Sequence, residues 1–413
     1  MRRAIQGESG QALVMVAIVL TALLMSVGLA IDSGQLYFAH RAMQEAADAA
    51  AYAGAVVLYQ PGGTQLLAFS AAANDASLNG FSDPTQITIR QPADAPFNNA
   101  SYVEVIITQS VRTSLIPQQS GLTKVTVSGI AGAEPLNNGY AIMALDRGNT
   151  INAFMNGPTG TIHLTGGGIL VNSTGGPAAT NNIINPAPPA PPAFTIADPY
   201  GTDVSGTAAG TWPTTGSGLR TGQPQQPDPF AGYPKPSTAG LSVNPPTIHG
   251  GTTSVSGIYT AQLSNTSLCT GTYILKAGMG GGIDIDTTAP CDGKVFLFNT
   301  NANYPSSGGL CGAFSASGNH DIVMNAMTTG TYAGLLFYQD PVCTNDAVFN
   351  GTAFSLTSTG TIYVPNAKFQ ITGQAQINGG QIVAKTVDTQ NGQVTINFSA
   401  ATSAQPKLPR LAR

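Results

Sequence analysis

Four aspartates in the last third of the 413-residue chain have the type and spacing for acid–base work: Asp284 and Asp286 in "GGIDIDTT", Asp321 behind His320, and Asp340 in "FYQDPV". Glycoside hydrolysis needs two carboxylates at a fixed separation, one protonating the leaving oxygen and one attacking or activating water. Asp284 and Asp286 would share a strand face, because side chains repeat every two residues. Asp321 and Asp340 fall on separate predicted strands. The plainer reading is that these aspartates sit at turns and accept hydrogen bonds from nearby amides. Asp284-x-Asp286 offers calcium two ligands but no loop framework, and no basic cluster is present to hold a uronate. Gly-x-Ser-x-Gly, His-Glu-x-x-His and phosphate-loop motifs are absent. Tyr332, Phe337, Tyr338, Tyr363 and Phe369 could form an aromatic sugar-binding face, although alternation sends about half of them inward. The expectation is a non-enzymatic protein with no catalytic residue, no metal site and no cofactor.

Four cysteines, Cys269, Cys291, Cys311 and Cys343, are separated by 22, 20 and 32 residues, which fits no compact metal-binding pair. In an exported chain they form two disulfides with three pairings open, four buried thiols being the alternative. Only 9% of residues are charged, with 49 Gly and 28 Pro. That is too little charge for an ordinary cytosolic domain and too many apolar residues for a disordered one. A net charge of −4 gives no basic field for nucleic acid, and the tail "KLPRLAR" reads as a frayed terminus.

These side chains need elements to position them. Residues 12–31 carry no charge and would make a helix of about 30 Å, the thickness of a bilayer core. Helix-forming sequence runs on through Gly28-Leu29-Ala30, so an uncleaved anchor is expected rather than a cleaved signal. Arg2 and Arg3 precede the span and only Arg41 follows closely, which keeps the N-terminus cytoplasmic and the bulk extracytoplasmic. Beyond Asp32, apolar and alanine positions recur at three- and four-residue steps through Ala53, continuing the helix until Pro61-Gly62-Gly63. A second helix runs through "TQLLAFSAAANDASLNGF", and residues 85–91, 102–111 and 122–134 are strand-like. Antiparallel strands against the long helix give a small α+β unit. Residues 177–246 hold 15 of the 28 prolines and read as an extended linker or an arm along a neighbouring domain. On both sides of it, short apolar strands with Gly and Asn corners recur at about 12 to 25 residues. The pattern suggests a right-handed parallel β-helix, with an antiparallel β-sandwich as the alternative.

The first 55 residues carry a resemblance. Gly10-Gln11-Ala12 opens the apolar helix, Asp32-Ser33-Gly34 leaves it, and the run from Gln44 to Ala55 includes Ala46, Ala47, Asp48, Ala49, Ala50, Ala53 and Gly54. This resembles TadE/TadG-like proteins of the tight-adherence (Tad/Flp) pilus machinery. Small residues on one face permit close helix–helix approach. Gly7 has Ala12, not glutamate, at the fifth following position, so prepilin-peptidase cleavage is not expected. The Asp-x-Ser-x-Ser motif of a von Willebrand A metal site is also absent. "DPFAGYPKPS" and the strands of residues 269–398 are similar to stretches of exported Tad-like proteins.

The resemblance implies a cytoplasmic N-terminus (1–11), a single-pass cell-membrane anchor (12–31) and a pilin-like helix-plus-β unit (32–135). First β-rich rungs (136–176), the Pro-rich arm (177–246), a C-terminal β domain (247–400) and a basic tail (401–413) follow. Its implied role is structural or interactive, in pilus assembly or surface adhesion. Implied partners are the membrane, other pilus-machinery or envelope proteins and surface polysaccharide, with no nucleic acid. The alternative is a membrane-anchored β-helix enzyme acting on surface polysaccharide.

Overall fold

The computed structural model describes residues 9–59, 63–113, 122–135, 139–183, 192–317, 321–350 and 355–412. Two units divide the chain: Met1–Leu136 together with Lys407–Arg413, and Asn137–Pro406.

In the first unit, α1 (Ser9–Tyr59) is one helix of 51 residues, about 75 Å long at 1.5 Å per residue. It contains the one described helix long and apolar enough to cross a membrane, and none of its most apolar window is buried. Two hydroxyls within that window, Thr21 and Ser26, donate to the carbonyls of Ala17 and Ala22, so no polar group there lacks a partner in lipid. Further along, Met43, Ala46, Ala47, Ala50, Ala51 and Ala55 form a buried stripe at helical spacing. Helix α2 (Gln65–Leu78) starts where the Thr64 hydroxyl accepts from the Leu67 amide, an N-cap worth about 1 kcal/mol. Its Ala68, Ala72 and Ala76, four apart, join the same cluster.

Three strands, β1 (Ile87–Arg90), β2 (Tyr102–Arg112) and β3 (Leu122–Pro135), pair antiparallel in chain order. Val103, Val105 and Ile107 alternate into the alanine cluster. The fourth strand corrects the frayed-end reading: Lys407–Leu411 pairs antiparallel with β3, with Lys407 opposite Pro135 and Leu411 opposite Ala131. Lysine and proline speak against a central strand, but both are tolerated at an edge, where one side of the ladder is unpaired.

The second unit is mainly β with parallel sheets, unlike the antiparallel sandwich. Its first ladder runs through Gly257–Tyr259, Gly271–Leu275, Val295–Asn299 and Leu335–Gln339. It continues through the first parts of Thr361–Ile371 and Gln381–Gln390. From there it passes to Tyr140–Ala144, Gly168–Val171, Gly201–Val204 and Gly218–Thr221. A second ladder follows the later parts of the same two long strands and continues to Phe154–Asn156 and Ala179–Asn181. A third, of six strands, runs from Asp321–Met324 through Gln393–Asn397 and Thr161–Thr165 to Phe194–Ile196. In all three the last strands of the unit pair with its first, so residues some 240 apart are neighbours.

Both faces of the first ladder are covered, as parallel sheets require. Inward, Tyr273, Leu297, Phe337, Ile362, Ile382, Ile142 and Ile169 stack in register within the main core. Outward, Ile258, Ile274, Phe298, Tyr338, Tyr363, Val383, Met143 and Leu170 form a second column. That column ends in a polar pair, Asp203 opposite Arg220. Disulfides join Cys269 to Cys291 and Cys311 to Cys343. Closing loops of these sizes stabilises by about 3–4 kcal/mol each in the chain-entropy picture.

Candidate functional site

The helix motif is spent inside the first unit. Gln44 donates from Nε2 to Asp48 Oδ1 at 2.8 Å and to the Ser128 carbonyl of β3 at 3.0 Å. One glutamine therefore ties the aspartate to the sheet. Burial raises the Asp48 pKa against the lowering effect of that glutamine. Ala46, Ala47 and Ala50 are buried, Ala53 is half-buried and Ala49 is exposed. Their smallness admits β3 closely: a Cβ at Gly129 would lie 2.7 Å from the backbone of Ala47. Gly54 does the same for α2 and β2, since a Cβ there would meet the Ala68 carbonyl and Val103 at 3.1 Å. Within this unit the small residues thus bring α1 close to α2. Asp32 is buried and Gly34 faces open space, while the side chains of Gly10 and Gln11 lie outside the described residues. Just past the span, Tyr37 and Phe38 are 63% and 72% exposed.

The four aspartates of the second unit have separate surroundings. Asp284 accepts from the Ile285 amide on an exposed part of its strand. Asp286 accepts from His249, Thr253 and the Thr288 amide, and the two hydroxyl and imidazole donors hold its pKa far below the ordinary carboxylate value. Asp340 is fully buried, accepts from the Thr300 hydroxyl at 2.7 Å, and pairs with Lys235 Nζ at 2.7 Å. Asp321 begins a strand of the third ladder, and the position of its side chain lies outside the description.

The aromatic residues do not make an exposed platform. Phe337 and Phe369 belong to the main core, while Tyr338 and Tyr363 lie in the outward column. Tyr332 is half-buried and stacked on Phe296, centroids 4.4 Å apart. The Pro-rich segment 177–246 is an arm only in its last part. Ala179–Asn181, Phe194–Ile196, Gly201–Val204, Ala208–Gly210 and Gly218–Thr221 are ladder strands, since the short runs between prolines pair with neighbouring strands. What covers the outward column is the remaining arm, residues 222–246. Going along it, Gln226 bonds Asn172, and Asp228 accepts from the Tyr363 hydroxyl at 2.7 Å. Phe230 packs on Tyr363 at 4.9 Å, and Tyr338 donates to the Tyr233 carbonyl. Lys235 reaches Asp340, Tyr304 donates to the Pro236 carbonyl, and Val243 bridges Ile258. The arm thus spans the apolar column from end to end. Burial raises the Asp228 pKa despite its two donors, Tyr363 and the Phe230 amide, and pushes Tyr233 and Tyr332 up to about 12.

Sequence reasoning missed His249, Lys235 and Asp228. Only a proline-rich stretch dotted with Phe and Tyr hinted that the arm is held down rather than free. Exposed apolar residues remain at Leu310 (88%) and Val342 (55%), each next to a cysteine of the second disulfide.

Residues 10–57 match the family described as "Putative Flp pilus-assembly TadE/G-like". No curated protein and no solved structure matches the chain.

Proposed function

We propose that the chain is a membrane-anchored, exported structural and interaction protein of a Tad/Flp-type pilus assembly or surface-adhesion system, without enzymatic activity. The observation that carries this reading is the family match over residues 10–57. It begins in a wholly exposed apolar helix and ends in a motif packed into an α+β unit. The charge asymmetry, Arg2 and Arg3 before the span and Arg41 alone soon after it, favours an N-terminus in the cytoplasm with both units outside. Exposed Tyr37 and Phe38 suit the headgroup layer at the outer end. The second unit is a right-handed parallel β-helix in this reading. Three parallel ladders with inward apolar stacks support that architecture. Its partners are pilus-machinery or envelope proteins, engaged by contact.

Leu23→Arg tests the anchor, because a cationic side chain at mid-span costs about 2.5–3.5 kcal/mol of insertion. The variant should leave the membrane fraction, and cells relying on it should lose pili or adhesion. Normal adhesion with a non-membrane variant would sink the anchored reading. Depolymerisation of a surface polysaccharide by the purified chain would replace the contact role with an enzymatic one.

A further inference from the structure

His249 sits in the 3-10 turn His249–Gly251 with φ 51°, a conformation that costs a side-chain-bearing residue and collects where function holds it. The turn carries the imidazole to Asp286, Nδ1 to Oδ2 at 2.5 Å. Asp286 is fixed from two other sides, by the Thr253 hydroxyl at 2.6 Å and the Thr288 amide at 2.7 Å. Cys291 completes the group: one ligand atom from each of His249, Asp286 and Cys291 lies within 4.8 Å of the others. Cys291 is bonded to Cys269, so a second sulfur is one covalent bond away. Among the described residues no other three His, Cys, Asp or Glu side chains converge in this way, and the Cys311–Cys343 disulfide has no such company.

We propose that these four residues form a redox-gated zinc site. In the oxidised chain, the disulfide sulfurs are neutral and poor donors, which leaves only an imidazole and a carboxylate. An external dithiol delivers two electrons and two protons, cleaves the Cys269–Cys291 bond and itself closes to a disulfide. Zn²⁺ then displaces the two thiol protons to solvent and binds two thiolates, one imidazole nitrogen of His249 and one carboxylate oxygen of Asp286. Tetrahedral zinc, with bonds of about 2.0–2.3 Å, sets its donors about 3.3–3.8 Å apart. To reach that, the 2.5 Å contact between His249 and Asp286 and the paired sulfurs must open, while the wider spacings, none above 4.8 Å among His249, Asp286 and Cys291, close by side-chain adjustment. Thr253 and Thr288 keep the carboxylate aimed, as outer-shell partners of metal ligands do. Cys269 and Cys291 are then held together in either redox state, by the sulfur–sulfur bond or by the metal. An exported chain, which begins with free thiols and ends oxidised, passes through both.

The test uses the full chain in detergent, freed of metal, before and after complete phosphine reduction. Zinc is titrated against a chromophoric chelator, and cobalt is substituted to look for thiolate-to-metal charge-transfer bands. One zinc per chain is expected after reduction and none before. A Cys311→Ser/Cys343→Ser double variant should keep that stoichiometry. His249→Ala and Asp286→Asn, with thiol counts confirming both disulfides before reduction, should each bind zinc at least about tenfold more weakly. Absence of zinc in the reduced chain, unchanged zinc in His249→Ala, or zinc lost with the Cys311 and Cys343 thiols would overturn the proposal. So would a reduced chain whose circular-dichroism β signal collapses with zinc present.

Discussion

Gly129 shows how a single missing methyl group positions an element. A Cβ there would press 2.7 Å from the Ala47 carbonyl carbon and oxygen, and backbone atoms cannot swing aside as a side-chain tip can. Gly129→Ala should therefore lower the stability of the full chain by about 1–3 kcal/mol, read as a fall in the urea midpoint. Asp228 makes the opposite case. Its folded pKa lies above the unfolded one because burial outweighs two hydrogen bonds. The folded state then holds its proton more tightly, and stability falls as pH rises from the ordinary carboxylate value through the raised one. Asp228→Asn removes this cost and can still accept from the Phe230 amide. Relative to the native chain, the variant's melting temperature should rise between pH 4 and pH 7. A difference that is flat or shrinks over that range would refute the assignment. Of these residues, the alanine run and Asp48 were readable, since their types and spacing recur locally. Gly129 and Asp228 were not, because each is explained by a partner 82 or 135 residues away.

At the scale of elements, the long helix, the second helix and the three strands beside them follow from local period and from the Thr64 cap. Residues 222–246 were legible as extended chain, but their grip on the sheet was not, and neither were the five ladder strands that the earlier part of the Pro-rich segment forms between 179 and 221. Polyproline conformation states only that a segment makes no ladder of its own, and its anchors are single side chains meeting distant strands. Lys235 is the most consequential of these, because its amine faces a fully buried Asp340. Removing one member of a fully buried pair costs about 3–5 kcal/mol. Lys235 is 40% exposed, so a smaller loss of about 2–3 kcal/mol is expected for Lys235→Met. The arm should also become a protease target, with new cleavage within residues 222–246. Unchanged digestion at that segment would mean that Phe230, Tyr304 and Tyr363 hold it without the ion pair.

For the whole molecule, the decisive feature is where the second unit leaves and re-enters the first. The chain departs after β3 and returns at Lys407–Leu411, and these two strands are adjacent, antiparallel and opposite each other at Pro135 and Lys407. Some 270 residues thus occupy the place of a hairpin loop. Loop-closure cost grows only as the logarithm of length, so an insertion of this size is compatible with the hairpin if it folds on its own. The short basic tail looked like a loose end because its partner strand lies beyond that insertion. Replacing residues 136–406 with Asn-Gly should close a two-residue hairpin in the same register, since that dipeptide adopts the turn matching strand twist. The shortened chain should insert in membranes and keep the alanine-packed unit, seen as helix-plus-strand circular dichroism, one cooperative thermal transition and protease resistance of residues 32–113. It should lose every interaction that resides in the parallel sheets, adhesion included if those sheets make the contacts. Aggregation or a non-cooperative melt would show instead that the first unit depends on the second for its stability, and that the pairing at Pro135 and Lys407 does not suffice to hold its sheet closed.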